Sequence, residues 1–449
     1  MTARILWTSI LIGAAISLAA SAAMAAQALT IGSVAGGWVY PYVRHLTMPV
    51  LVMVFVASGS AAALAWMLPR RGHAWLWLAV SMAAATVFQA AVRPLAPASL
   101  DAIVTSPGAN AFYTVAEQHR PRDVLRRFSR IQSQAPLHVQ SNMPGKILLV
   151  QGLRAVTTDA RTLAWLLVGL SNAGALVMFL FVREVFGDDR TALLSAVLYL
   201  FVPARHFFLP LMNTITPVII LLCMWLLARW LNKRRAADAV LAGAALYALA
   251  IFEPLPLVMG LLVAGLALRA IAVKQITWPQ FALHSAIVVL TVIVASIAVD
   301  QIFGFDLVST FRRIAAHASQ FNVDARRPYD VWITANLPEF GIGAGLSQMT
   351  AFSGALMVAL RAGTTWRDRQ TIPIAVVCLG LAAVLFVTDL IGINRGEVMR
   401  LWIFLACFFQ IPTAYACATL DDRRALAVVV ATSAISIVLG TAMIGFVMP

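Results

Sequence analysis

Long apolar runs separated by short polar segments extend along the whole chain. A bilayer core of about 30 Å needs about 20 apolar residues per helix. On that basis the pattern predicts thirteen transmembrane helices, at 5–26, 46–68, 74–92, 161–183, 190–208, 213–231, 237–252, 256–272, 281–303, 342–361, 371–392, 397–418 and 424–448. We therefore expect an all-α integral membrane protein that forms one polytopic domain over residues 1–449.

The composition supports this reading. Hydrophobic residues make up 61% of the chain and charged residues only 12%, whereas an ordinary globular domain carries about 25% charged residues. This excludes soluble enzymes, nucleic-acid binders and disordered proteins. The four cysteines lie in apolar runs without CxxC spacing, which is typical of buried small hydrophobic residues.

The first apolar run has a second interpretation. Arg4, an apolar stretch and Ala-Met-Ala at 23–25 also match the layout of a cleavable signal peptide. Removal of this run would leave twelve transmembrane helices. The orientation of the later segments is the same in both cases.

The basic residues predict the orientation, because cytoplasmic loops are enriched in Lys and Arg. With the N-terminus inside, the inner segments hold Arg4, Arg70, Arg71, Arg183, Arg190, Arg229, Lys233, Arg234, Arg235, Arg269, Lys274, Arg361, Arg367, Arg369, Arg423 and Arg424. The outer segments hold Arg44, Arg205, Arg312, Arg313, Arg326, Arg327, Arg395 and Arg400. This ratio of roughly two to one predicts a cytoplasmic N-terminus, and we expect a multi-pass protein of the cell inner membrane.

Two segments predicted to be periplasmic, 93–160 and 304–341, are too long to be simple turns. Each contains an amphipathic pattern typical of a helix lying in the head-group plane. Within 121–131 the apolar face consists of Val124, Leu125, Phe128 and Ile131, and the basic face of Arg122, Arg126 and Arg130. Within 307–321 the corresponding residues are Leu307, Phe311, Ile314, Ala318 and Phe321, opposite Arg313 and His317. Such faces either contact lipid phosphates alone or bind a substrate.

Candidate chemistry lies in three stretches at the predicted outer face. They are Ser99-Leu100-Asp101, His138 with the following Asn142-Met143-Pro144-Gly145-Lys146, and Asn394 to Trp402 with Arg395, Glu397 and Arg400. Glu397 and Arg400 are three residues apart and share a helical face. The histidines show no HxxxH or HxxE spacing, and no P-loop is present, which argues against a histidine-held catalytic metal, ATP-driven transport and kinase chemistry.

This layout resembles the GT-C superfamily of polytopic membrane glycosyltransferases. The similarity lies in the long external loop with an early acidic residue, an interfacial helix and a His…Pro-Gly segment. It also includes Arg395-Gly396-Glu397-x-x-Arg400-Leu401-Trp402, Phe207-x-x-Pro210 and Thr216-Pro217. The resemblance implies transfer of a sugar from a polyprenyl-phosphate-linked donor to a lipid or glycan acceptor, at the outer face and in contact with membrane lipids.

The resemblance also implies a role for the acidic residue, since such enzymes use it as a general base or to position the acceptor, sometimes with a divalent metal (Mg or Mn). Asp101 matches it by position, although here the loop follows the third span and Asp101 has no acidic neighbour. From the residues themselves, transfer from a lipid phosphate needs a base and cations that stabilise the departing phosphate. We assign the base to Asp101 and phosphate binding to Arg395, Arg400 and Lys146. Glu397 would orient the arginines, and His138 would contact substrate.

Alternative interpretations stay open at this point. Asp101 also fits a helix-end acceptor, the Arg395–Glu397–Arg400 group a structural ion-pair network, and His138 plain loop packing. For the whole chain, the alternative functions are a secondary transporter or lipid flippase, favoured by proline-broken segments such as 252–256, and a catalytically inactive assembly partner.

Overall fold

The computed structural model describes residues 2–69, 72–361 and 372–449. Arg70, Arg71, Arg367 and Arg369, which the charge count places at the inner face, lie outside the described residues. The described chain is almost entirely helical. Its strands are β1 (Gly32–Ser33) and β2 (Trp38–Val39), an antiparallel pair with Gly32 opposite Val39.

The described first half of the chain contains twelve α-helices, and several short ones lie within the segment 93–160. They are α1 (Ala3–Ala25), α2 (Met48–Met67), α3 (Ala74–Val92), α4 (Leu100–Thr105), α5 (Pro107–Gln118), α6 (Pro121–Arg126), α7 (Phe128–Gln134), α8 (Leu137–Gln140), α9 (Gly145–Arg154), α10 (Ala160–Phe186), α11 (Asp189–Leu200) and α12 (Pro203–Phe207). Short 3-10 helices cover Arg93–Leu95, Met212–Thr214 and Leu255–Met259.

The second half contains the helices around the segment 304–341 and the last spans. They are α13 (Thr216–Lys233), α14 (Ala236–Phe252), α15 (Gly260–Ala272), α16 (Trp278–Phe303), α17 (Leu307–Asp324), α18 (Tyr329–Ala344), α19 (Leu346–Arg361), α20 (Ile372–Ile391), α21 (Val398–Leu401), α22 (Ile403–Phe408), α23 (Gln410–Thr419) and α24 (Arg423–Met443).

Within the described residues, nine helical segments are long and apolar enough to cross a membrane. They are Ala3–Ala25, Met48–Met67, Ala74–Leu95, Ala160–Phe186, Met212–Lys233, Leu255–Ala272, Trp278–Phe303, Pro373–Ile391 and Arg423–Met443. The number becomes ten if α18 and α19, which meet at a bend of 109°, form one span. The mostly helical fold is therefore confirmed, with nine or ten described helices that could span a membrane, whereas the predicted number of thirteen spans is not confirmed.

The remaining predicted spans are short or broken helices. The segment 190–208 forms the twelve-residue α11 and the short α12, which begins at Pro203. The segment 397–418 is divided into α21, α22 and α23, and α14 has only 17 residues. The run 342–361 differs most, because α18 begins within the predicted external loop and the chain turns at Gly345, whose φ is +98°. A φ in that region favours glycine.

Segments predicted to lie on the same side of the membrane contact one another. At one end, Trp7 Nε1 donates to Asp422 Oδ2 at 2.7 Å, and an Arg423 guanidinium nitrogen donates to the Trp66 carbonyl at 3.1 Å. At the other end, which we call the loop end, segments 93–160 and 304–341 meet, with 6.0 Å between the Phe128 and Phe305 rings. Which end faces the cytoplasm stays a prediction from the charge count.

The two predicted amphipathic stretches, 121–131 and 307–321, are helical, but the first is interrupted and the second is part of a longer helix. The stretch 121–131 is not one helix, because the backbone leaves the helical region at Arg127 between α6 and α7. Its apolar residues Val124, Phe128 and Ile131 are nevertheless buried. The stretch 307–321 lies within α17, where Ile314 is buried but Phe311 remains 47% exposed. These helices share a second hydrophobic cluster with Phe305, so the two long segments are packed together.

Candidate functional site

A buried ion pair joins the segment 93–160 to the bundle. The ammonium nitrogen of Lys146, in α9, lies 2.9 Å from Glu253 Oε2 and donates to Asn142 Oδ1 at 2.7 Å. Thr216 Oγ1 donates to Glu253 Oε2 at 2.5 Å. The Lys146 side chain is only 1% exposed. Burial lowers the pKa of Lys146, and the opposing charge of Glu253 raises it in part.

Gly145 explains why the lysine can approach Glu253. A Cβ atom at Gly145 would lie 2.7 Å from the Phe252 Cα and 2.8 Å from the Ile251 carbonyl oxygen. Such contacts with backbone atoms cannot be relieved by a side-chain rotation. The Pro-Gly-Lys segment therefore needs glycine at 145 for α9 to pack directly against the end of α14.

A second ion-pair group surrounds Glu397. Arg327 donates to Glu397 Oε1 at 2.8 Å, and Arg400 donates to Glu397 Oε2 at 2.5 Å. Burial alone would raise the pKa of Glu397, but the positive charges of Arg400 and Arg327 outweigh it and lower that pKa. The prediction that Glu397 orients Arg400 thus has a geometric basis, whereas its second partner is Arg327 from the segment 304–341.

The Glu397 group is anchored by a tryptophan between two glycines. Trp332 in α18 is fully buried, and its Nε1 donates to the Gly36 carbonyl at 2.9 Å. A Cβ at Gly36 would lie 2.6 Å from the indole ring, and a Cβ at Gly396 would lie 2.7 Å from it. Gly396 also has a φ of +79°. The chain before Glu397 is therefore fixed against α18 and the segment 27–47.

His138 lies between the two ion-pair groups. With Asn110, Asn142, Met212 and Arg400 it lines a small cavity of about 20 Å³, large enough for about one water molecule. Burial, with the positive charge of Arg400, lowers the pKa of His138 to about 4. His138 is thus a neutral imidazole at physiological pH. Arg400 is the other predicted site residue that lines this cavity.

Arg395 is turned away from that cavity. Its Nε donates to the Gly392 carbonyl at 3.1 Å, and its Nη1 donates to the Arg327 carbonyl at 3.0 Å. The guanidinium carbon lies 5.4 Å from the centre of the Tyr329 ring. These contacts give Arg395 a structural role in the loop 392–397, and the structure does not bring it together with His138.

Asp101 occupies the first turn of α4, after the N-cap Ser99, and is exposed. Within the described ranges, its carboxylate has no hydrogen bond or ion pair with the other predicted site residues. No group of three His, Cys, Asp or Glu side chains that suits a metal ion is found there either. The donor set of the described residues therefore does not fit a protein-held divalent metal.

Some buried residues escaped the sequence reasoning. Glu253 lies within the proline-broken segment 252–256 and is the partner of Lys146. Arg205 was counted among the outer basic residues but is entirely buried. Its guanidinium donates to Tyr199 O at 2.9 Å and to Ser171 Oγ at 2.9 Å. The sequence signal for both is an ionisable residue within two positions of a proline in an apolar stretch.

A wide recess at the loop end lies between the two long segments. We call it the basic groove, and it is lined by Arg126, Arg127 and Arg130 from α6, α7 and their junction and by Arg313 and His317 from α17. Its volume is about 990 Å³. The predicted amphipathic faces thus contribute their basic residues to one surface.

No protein-family model matches the chain, and no curated protein matches it in sequence. Membership of the GT-C superfamily therefore stays a prediction.

Proposed function

We propose that the protein is a membrane glycosyltransferase that moves a sugar from a polyprenyl-phosphate-linked donor to a lipid or glycan acceptor. The observation that carries this proposal is the meeting of segments 93–160 and 304–341 over a basic groove at one end of an apolar bundle. A transfer enzyme needs such an interfacial chamber, where a lipid phosphate from the bilayer meets a polar acceptor.

In the proposed reaction the acceptor hydroxyl oxygen attacks the anomeric carbon of the donor. The bond between that carbon and the phosphate oxygen breaks, and the lipid phosphate leaves with the electron pair. The hydroxyl proton passes to a base, which we assign to Asp101. Arg400, held by Glu397, faces the His138 cavity and would stabilise the leaving phosphate. Lys146 acts through Asn142, which it holds at the same cavity.

The test is a transfer assay with purified protein and a panel of polyprenyl-phosphate sugars, scored by release of the lipid phosphate. General-base assistance is worth about 10²–10⁴ in rate, so we expect Asp101→Asn to lose activity by that factor while donor binding persists. Glu117→Gln and Asp123→Asn, in the same segment, are the controls. Full activity of Asp101→Asn, with loss in a control, would move the base to that control residue.

The bend between α18 and α19 favours a second candidate, a lipid flippase or secondary transporter. Broken helices often form the binding sites of transporters, and this pair turns by 109°. Protein in sealed liposomes would then move a labelled polyprenyl-phosphate sugar across the bilayer without cleaving it. Release of lipid phosphate without translocation supports the transferase instead.

A further inference from the structure

We propose that the basic groove binds an anionic carbohydrate chain, which approaches from the aqueous side. The proposal rests on the proposed function only in naming this chain as the acceptor of the sugar. Binding itself is independent of transfer and is measured separately below. The charge, the lining chemistry and the size of the groove support it.

The charge of the groove is not neutralised by the protein. Arg126, Arg127, Arg130 and Arg313 are exposed, and in the part of the chain that the structure describes none of them has a carboxylate within ion-pair distance. Arg313 donates only to the hydroxyl oxygens of neighbouring residues on α17, at 3.0 Å. Four guanidinium groups around one recess favour a ligand that carries several negative charges.

The other lining residues favour a sugar over a lipid chain. They are hydroxyl and amide side chains, Ser129, Gln132, Ser133 and Gln140. Gln132 Nε2 donates to the Gln140 carbonyl at 2.9 Å, and Gln140 Nε2 donates to the Ala135 carbonyl at 2.8 Å. These bonds hold both amide groups in place, and an amide Oε1 atom can accept from a hydroxyl group. Among the described residues that line the groove, His317 has the one ring and none is an aliphatic hydrocarbon side chain. The apolar surface offered to an acyl or prenyl tail is therefore mainly that of arginine methylene groups.

The size agrees with a ligand larger than a single anion. A volume of about 990 Å³ lies at the upper end of ligand pockets, which measure about 300–1,000 Å³. The His138 cavity, at about 20 Å³, is far smaller. Carboxylates or phosphates spaced along a sugar chain would match arginines spread over α6, α7 and α17 better than one compact anion would.

Binding of a fluorescent oligogalacturonate to the purified full-length protein in detergent tests the proposal, with maltooligosaccharide of equal length as the neutral probe. The double variant Arg126→Gln/Arg130→Gln and the single variant Arg313→Gln remove groove charges. The matched controls are Arg122→Gln on α6 and Arg312→Gln on α17, exposed arginines that do not line the groove. Melting temperatures are measured for every variant to show that it folds.

We expect the oligogalacturonate to bind, the maltooligosaccharide not to bind, and salt to weaken the complex because the charges are exposed. The double variant should bind about 30-fold more weakly and Arg313→Gln about fivefold, since a fivefold loss per arginine corresponds to about 1 kcal/mol for each charged contact. Equal losses in the controls, or no binding to the native protein, would overturn the proposal. Inorganic phosphate and anionic phospholipid vesicles are then tested as competitors. If phosphate competes as effectively as unlabelled oligogalacturonate, the groove binds free phosphate instead. If the vesicles do so, the groove binds the membrane surface instead. If a variant loses groove binding but retains transfer activity, the groove does not hold the acceptor, whereas the proposed transfer reaction still stands.

Discussion

Lys146 and Glu253 are both buried, and neither charge is stable alone in that position. Removing one partner of a buried pair typically costs about 3–5 kcal/mol. We therefore expect Lys146→Met to lower the free energy of unfolding by that amount and Lys146→Met/Glu253→Gln to recover much of the loss. Denaturant unfolding in detergent measures both. The control is Glu117→Gln, which breaks an exposed contact with Arg154 and should cost less than about 1 kcal/mol. Equal stability of the single and double variants would contradict the coupling.

His138 makes the fold sensitive to acid. Its pKa is about 4 in the folded protein, against 6.5 for an unperturbed histidine. Between these values the unfolded chain binds a proton that the folded chain does not, so stability is complete above about pH 6.5 and falls as the pH drops to 4. The loss amounts to about 3 kcal/mol at most. Melting temperatures from pH 7 to 4 should fall less in His138→Gln than in the native protein, while His45→Gln, an exposed histidine, should follow the native curve.

At the scale of the elements, two glycines set how closely neighbouring segments pack. Gly145→Ala should push α9 from the end of α14 and loosen the Lys146–Glu253 contact, because the added methyl meets backbone atoms. Overpacking typically costs about 1–3 kcal/mol. Gly152→Ala, in the same helix with open space around it, should be neutral or stabilising. Thermal unfolding of the two variants compares them, and equal melting temperatures would refute the steric argument.

Gly396→Ala should be more severe. The new Cβ would meet the Trp332 ring, and the φ of +79° is unfavourable for alanine. Because Glu397 follows directly, we expect both a lower melting temperature and a fall in donor phosphate binding. A second change, Trp332→Leu, would relieve the ring contact; if it restores neither property, backbone strain is the main cause.

The elements also show how far the sequence could predict this molecule. The long runs with uniform hydropathy, such as α1, α10 and α24, were predicted within a few residues because their apolar character alone selects the helix. The breaks in 190–208 and 397–418 could not be predicted, since buried neighbours allow shorter helices there. Of the predicted site residues, His138 and Arg400 line one cavity. The contacts of Glu253 with Lys146 and of Arg327 with Glu397 could not be predicted, because they join residues that are distant in the sequence.

At the scale of the whole molecule, the orientation can be tested directly. The four native cysteines are buried, so a single exposed cysteine gives a clean signal with a membrane-impermeant reagent. Ser133→Cys at the loop end should label in intact cells, whereas Ala236→Cys, in the predicted inner segment 232–236, should label only after lysis. The reverse pattern would place the loop end in the cytoplasm and remove the proposed outer-face reaction.

The contact between the beginning and the end of the bundle affects how the chain is made. Helix α1 packs against α19 and α24, and its Ser17 and Ser21 hydroxyls lie 3.4 Å from the Ser436 hydroxyl of α24. Trp7 and its partner Asp422 are 415 residues apart. At about 5–20 residues per second, a ribosome needs about 20–80 s between them. During that time the hydroxyl face of α1 has no α24 to contact, so α24 completes the environment of α1 only after its own synthesis.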